Sequence, residues 1–506
     1  MGSTETHTRG EAVAAFLADP ATHGGAEVEV ITTHSAQVFL AGDRAYKIKR
    51  PVRYAYLDFT SPEERRRVLE RELELNAPAA PQIYERVCPV TRDADGRLAL
   101  DGPGAPVDHV LIMRRFPREA ELVRVAEAGQ FTEEMAQDLG RAVAAYHARA
   151  ERRAEDGAAL VAEILDELSE AFAAMRGALG ADRIARFDRA AREAHARLAP
   201  LLTGRGAAGA VRRGHGDLHL GNIVLVDGAP VLFDALEFDE RLGTCDILYD
   251  LAFLVMDLDR RGLAPQAHRV FQTWLDAMRD EGGLAALPLF LAVRAAIRAM
   301  VAVQGDGPPA PARAMLDQAA RYLDPPAPRL VAVGGVSGTG KSELARRLAP
   351  ALGPAPGAVL LRSDVARKAL FGVEARTRLP AAAYAPEVGA RVYRRLLRRA
   401  SAILAAGHAV ILDATFLAAQ DRRAARALAD RAGVPLTGLW LDAPDAVLAG
   451  RIAARQGDAS DADIAVLRRQ RAALDPPPDW VRLDAAASPE AVLRCALEAV
   501  PAPSRR

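Results

Sequence analysis

The stretch LVAVGGVSGTGKSELARRL, residues 330–348, limits what this chain can fold into more than any other. An apolar, β-branched run reads as a strand buried on both faces, and the residues after Lys341 read as a helix. Between them, Gly335 to Ser342 spell GxxxxGK[ST]. A loop of this kind works only between a parallel strand and a helix N-terminus. Its glycines (Gly335, Gly338, Gly340), with Ser337 and Thr339 between them, let backbone N–H groups turn inward around phosphates. Lys341 neutralises the β and γ oxygens, and Ser342 reaches magnesium. The region from about 326 onward is therefore expected to be a parallel α/β domain.

The later segments agree. AVLLRSD, AVILDATF and LTGLWLDAP read as further strands with helical stretches between them. Asp364 follows the first of these, at the carboxyl edge where open α/β sheets bind their ligands. Asp413 ends AVILD, at an acidic position that resembles the magnesium-supporting aspartate of such folds. Arg451 and Arg455 are four apart on a helix and share a face from which guanidinium groups can close on a transferring phosphate. The alternative for this pair is a solvated helix face. RVYRRLLRRA carries Arg391, Arg394, Arg395, Arg398 and Arg399 at helical spacing. A solvated face is the favoured reading there, and an approach to an anionic acceptor or RNA the weaker one.

The first half is built differently. Residues 1–26 form an N-terminal segment, and 27–115 read as short strands interrupted by a helix over about 62–75. Ser61 is its expected N-cap, with Pro62 in the first turn. Residues 116–325 are mostly helical, which makes a small β-rich lobe followed by a helical lobe. The Pro-rich stretch 305–329 separates this half from the second, 326–506.

HGDLHLGN (215–222) lies between the helical block and short strands, and Asp234 follows PVLF. Phosphoryl transfer to a hydroxyl needs a base and oxygen ligands for magnesium. Asp217 suits the base, and Asn222 and Asp234 suit the metal. His215 is expected to hold the loop, and a zinc site from His215, His219 and an aspartate fits less well. In RAYKIKR, Lys47 and Lys49 share one face of a strand, and Lys47 suits the nucleotide phosphates. Its carboxylate partner should come from LERELELN, where Glu70, Glu72 and Glu74 are available and Glu72 is favoured.

HGDLHLGNIVL, FDALEFDERL and DILYDLAFL resemble the aminoglycoside phosphotransferase and choline kinase group, over about residues 27–323. The resemblance implies the protein-kinase fold, Asp217 as catalytic base, Asn222 and Asp234 as magnesium ligands, and Asp250 as a brace. The chain departs from protein kinases in having THSAQVFLAG where they have a glycine-rich loop. Residues 329–500 resemble small P-loop kinases such as gluconate kinase, polynucleotide kinase and zeta-toxin-like enzymes, on SDVARK, LDATF, RIAAR and SDADIAVLRRQ. That likeness implies that Asp364 binds or deprotonates an acceptor hydroxyl and that Arg367 lies on the substrate side. The whole chain resembles bacterial bifunctional aminoglycoside phosphotransferase and ATP-binding proteins.

Composition narrows the rest. With 66 Lys and Arg against 66 Asp and Glu, the 506 residues carry no formal net charge. That disfavours a general nucleic-acid binder. Three widely spaced cysteines, Cys88, Cys245 and Cys495, form no disulfide or zinc pattern, and the N-terminus lacks a secretory signal. A cytoplasmic protein is expected. LPLFLAVRAAIRAMVAV (287–303) is apolar but short and contains two arginines, so it is expected to be a buried helix. The expected function is ATP- and Mg2+-dependent transfer to hydroxyl groups of small molecules at two kinase-type sites. The alternatives are a fusion in which one half only binds ATP, and a nucleotide or polynucleotide kinase in the second half.

Overall fold

The computed structural model describes residues 3–54, 57–305, 308–374, 377–454 and 460–501. Two compact units emerge: Met1–Gly157 with Arg205–Asp257, and Ala158–Gly204 with Leu258–Arg506.

The first unit contains a six-stranded antiparallel sheet. Its spatial order is Val28–Thr32, Ala36–Ala41, Arg44–Lys49, Ala105–Arg114, Tyr84–Arg92, Leu98–Leu100. The segment before it is a helix, Ser3–Ala18, whose Val13 and Leu17 are buried. The helix Pro62–Asn76 starts where its signals place it: Ser61 Oγ accepts a hydrogen bond from the Glu64 amide, and Pro62 occupies the first turn. Val68 and Leu69 bury its apolar stripe. Arg65, also buried, forms an ion pair with buried Asp108 at 2.8 Å. A pair so deeply buried fixes register, because a displaced helix would leave two charges unsolvated. Two turns on from Arg65, Glu72 then faces the strand Arg44–Lys49. In that strand the period of two directs Lys47 and Lys49 to one side.

A hairpin of Ile223–Val226 with Ala229–Leu232 follows the HGDLHLGN loop. Its pairing continues for one more step, since the Phe233 amide donates to the Asn222 carbonyl. Asn222 and Asp234 therefore emerge at the same end of the hairpin.

The second unit is organised by a five-stranded parallel sheet. Its order is Val359–Arg362, Val410–Asp413, Leu330–Gly334, Leu436–Asp442, Val481–Asp484. The central strand is buried along its whole length, as its β-branched sequence requires. The last strand, VRLD, was not among the strands expected from the sequence, although apolar and charged residues alternate strictly over its four positions, the shortest run that signals a strand. The edge strand Val359–Arg362 is covered by the helix Ala264–Met278. Gln272 lies against it as another strand would: its amide oxygen accepts from the Leu360 N–H at 2.8 Å and its amide nitrogen donates to the Leu360 carbonyl at 3.1 Å. One turn earlier His268 Nε2 donates to the Ala358 carbonyl. Phe271 and Trp274 of the same helix are fully buried.

Two expectations are corrected here. Together with the turn before it, the apolar helix Leu287–Gln304 is long and apolar enough to cross a bilayer, so its length does not exclude a span. Its burial is as expected: Phe290, Leu291 and Val293 are packed inside the unit. The arginine stripe is not uniformly solvated, because Arg399 bridges to Glu281 and Asp276 at 2.6 and 3.1 Å.

Candidate active sites

In the first unit, the Lys47 ammonium lies 2.7 Å from Glu72 Oε1 and 2.7 Å from Asp234 Oδ1. Of the three glutamates available, Glu72 turns inward and is fully buried, whereas Glu70 and Glu74 face Arg66 and Arg71 on the surface. Glu72 uses its other oxygen for Lys49, which also reaches Glu237 at 2.6 Å. Glu237 was missed by sequence reasoning. It belongs to FDALEFDERL, but nothing in that string says which of its acids points at a lysine.

Burial lowers the tendency of Lys47 to hold its proton, but Asp234, Glu72 and Glu237 outweigh it and hold the ammonium well above its ordinary pKa. Burial likewise pushes the Asp234 carboxyl up, and Lys47 more than offsets this, so the group stays lowered and ionised. Glu237 is raised by burial, with Lys49 opposing. Three carboxylates thus face two ammonium groups. The Asp234 side chain remains 42% exposed, so one more cation can approach it.

The HGDLHLGN loop is held from beneath. Asp250, fully buried, accepts from the His215 and Gly216 amides at 2.7 and 3.0 Å and meets His147 Nε2 at 3.1 Å. His215 Nε2 donates to the Phe233 carbonyl, and burial depresses its pKa, so the ring is neutral. That position ties the loop to the residue before Asp234. His219 Nδ1 accepts from the Gly221 amide, and its Nε2 lies 3.4 Å from Asp217. Asn222 Nδ2 donates to both the carbonyl and the carboxylate of Asp217, each at 2.9 Å. The amide oxygen of Asn222 therefore points away from Asp217. The oxygens of Asn222 and Asp234, at one hairpin end beside an excess of carboxylate, fit a hard cation such as magnesium.

In the second unit, Gly335 adopts φ 135° and Gly338 φ 87°. A Cβ on Gly335 would lie 2.4 Å from the Leu441 carbonyl oxygen, so both shape and space demand glycine there. Ser342 Oγ donates to Asp413 at 2.5 Å, which brings together the two oxygen donors a magnesium ion would need. Arg362, unremarked in the sequence, reaches both: Asp413 at 3.2 Å and Ser342 at 3.0 Å. Lys341 donates to the Val336 carbonyl and Thr339 Oγ1 to the same oxygen, and the Ser337 amide donates to the Gln470 side chain at 2.7 Å. Gly340 is the N-cap of the helix that begins at Lys341.

Asp364 and Asp413 line one cavity of about 880 Å3 with Lys341, Arg367 and Arg451. Burial raises the Asp364 carboxyl, and Asp413 adds to this, against Arg362 and Lys341. Arg367 donates to the Ala383 carbonyl and lies over the Tyr384 ring. Arg455 lies outside the described residues. Asp461, also missed, gathers Lys368, Tyr384 and the Leu379 amide on the cavity wall.

The family described as phosphotransferase enzymes matches residues 35–287, and an AAA domain matches residues 330–477. Uncharacterized proteins of Mycobacterium tuberculosis and Mycobacterium bovis are each 34% identical over 458 residues, covering 86% of this chain and 88% of theirs. Among solved structures, a choline/ethanolamine kinase family protein from Mesorhizobium loti is 16% identical, covering 62% of this chain and 95% of its own, with a TM-score of 0.37. A gluconokinase from Sinorhizobium meliloti is 25% identical, covering 34% and 92%, with a TM-score of 0.25. The chain aligns with the mycobacterial proteins along most of their length, and it belongs to the phosphotransferase enzyme family, with a P-loop kinase domain in its second half.

Proposed function

We propose that both halves transfer the γ-phosphoryl group of ATP to a hydroxyl group of a small molecule, the first half ending near residue 325. The observation that carries the reading is Lys47, bonded at once to Glu72 and Asp234. A lysine held this way presents a fixed ammonium to nucleotide phosphates without further reorganisation.

In the first half, Asp217 takes the proton of the acceptor hydroxyl as its oxygen bonds to the γ-phosphorus and the bond to the β-phosphate oxygen breaks. Asn222 and His219 orient the Asp217 carboxylate, and Asp250 holds the loop that carries it. Asn222 and Asp234 would hold magnesium, which would neutralise charge on the phosphates. In the second half, Lys341 and the loop amides hold the phosphates, with Arg451 on the same cavity wall. Ser342 and Asp413 are the metal-side oxygens. Asp364 receives the hydroxyl proton, and its raised pKa suits a group that must accept one. Arg367 faces the acceptor. Cys88 and Cys245, both buried thiols, accord with a reducing, cytoplasmic setting.

The test is ATP consumption by the full chain against panels of sugars, aminoglycosides, nucleosides and RNA ends, repeated with Asp217→Asn and with Lys341→Ala. Acceptor-dependent turnover lost in one variant and kept in the other assigns an acceptor to each half. Turnover unaffected by both variants would refute the reading.

A further inference from the structure

The P-loop cavity has a wall that the P-loop fold does not itself provide. Arg269 lines it, together with Asp364, Arg367 and Arg378. Arg269 belongs to the helix Ala264–Met278, which lies within the stretch matched by the phosphotransferase family, not within the AAA match. The helix is anchored on both sides of that arginine. His268 holds the Ala358 carbonyl and Gln272 holds both backbone groups of Leu360. Leu360 is four residues before Asp364, so the anchor and the acceptor-side acid share one short run of chain.

Charge on this side of the cavity is predominantly positive. The acid Asp461 is already engaged by Lys368 and Tyr384. Arg367 contacts neutral groups, the Ala383 carbonyl and the Tyr384 ring, and its buried Nε has no hydrogen-bond partner among the described residues. The phosphate loop, with Lys341, lines the same cavity. Guanidinium groups carried by other elements are suited to an oxyanion other than the nucleotide's own phosphates.

We propose that Arg269, with Arg367, binds an anionic group on the acceptor of the P-loop site. That site then takes a small molecule carrying both a hydroxyl and a negative charge, and it is incomplete without a helix from the preceding module. The proposal deepens the kinase reading of the second half and rests on it.

The experiment uses the full chain saturated with a non-hydrolysable ATP analogue and Mg2+, so that the nucleotide phosphate positions are filled. Inorganic sulfate is then titrated calorimetrically. Saturable sulfate binding is expected, weakened about tenfold or more in Arg269→Gln, as loss of one charge-assisted hydrogen bond implies. Arg269→Lys should recover most of it. Arg426→Gln, at an exposed position of the helix Ala419–Ala432 outside the cavity, should leave it unchanged, and analogue affinity should stay within about twofold in all variants. Absence of sulfate binding, or equal binding in Arg269→Gln and wild type, would overturn the proposal. Failure of the kinase reading looks different: Lys341→Ala would leave nucleotide affinity intact while the sulfate result stood.

Discussion

Asp234 adopts φ 59°, a left-handed conformation that most side chains enter at a cost of about 1–3 kcal/mol. Aspartate tolerates it better than most, and the Tyr84 hydroxyl holds its amide in place. Both Asp234→Ala and Asn222→Ala should therefore raise the magnesium concentration needed for half-maximal activity of the first half, and zinc should not substitute. A magnesium titration checks this, and stoichiometric tight zinc in the purified protein would contradict it. Asp217→Ala should lower turnover at the same site by about 10²–10⁴-fold, with ATP affinity retained. Full activity after this change would remove Asp217 as the base. The positions of Lys47, on a strand beside Glu72, and of Lys341, at the first turn of a helix, were legible because local spacing fixes them. Glu237, Arg362 and Asp461 were not, because an ion-pair partner is chosen by tertiary placement and each sits among several equivalent charges.

At the level of elements, the helices and strands with strong period and clear caps were readable, as Pro62–Asn76 and Leu330–Gly334 illustrate. What a helix rests on was not: nothing in APQAHRVFQTWLDAM announces that Gln272 will complete the edge of a sheet 88 residues away. Gln272→Ala would leave a buried N–H and carbonyl of Leu360 without partners, and a loss of about 1–3 kcal/mol is expected in denaturant unfolding of the second unit. The same contact carries a pH response. Burial lowers His268 to about 4 from 6.5 and His408 likewise to about 4, with Arg269 adding to the former and His268 to the latter. Both rings are thus neutral in the folded unit. An unfolded chain binds these protons more readily, so the stability is fully present above about pH 6.5 and is lost as pH falls toward 4. The melting temperature should drop across that window, and His268→Gln should flatten the drop. An unchanged profile in this variant would remove His268 from the account.

At the scale of the whole molecule, the proposed function gives each kinase-type half its own phosphate-binding lysine, Lys47 and Lys341. Calorimetric titration with a non-hydrolysable ATP analogue should show two sites in the wild type and one in Lys341→Ala. One site in the wild type, or none in the variant, would mean a shared site. The order of two kinase-type halves was legible in sequence because two unrelated phosphate-binding patterns flank a Pro-rich stretch. The grouping of Leu258–Pro325 with the P-loop sheet was not, since it depends on side chains far apart in sequence meeting at a strand edge. That edge has one further consequence. The outer strand at the other side of the sheet, Val481–Asp484, exposes Arg482 and Asp484, charges that discourage another chain from pairing with it. Val359–Arg362 has no such protection in its first three residues, Val-Leu-Leu, and relies on Gln272 and His268 to occupy its backbone. A chain severed near residue 326 would display an apolar, unpaired β-edge, and its characteristic failure would be self-association into aggregates rather than simple unfolding.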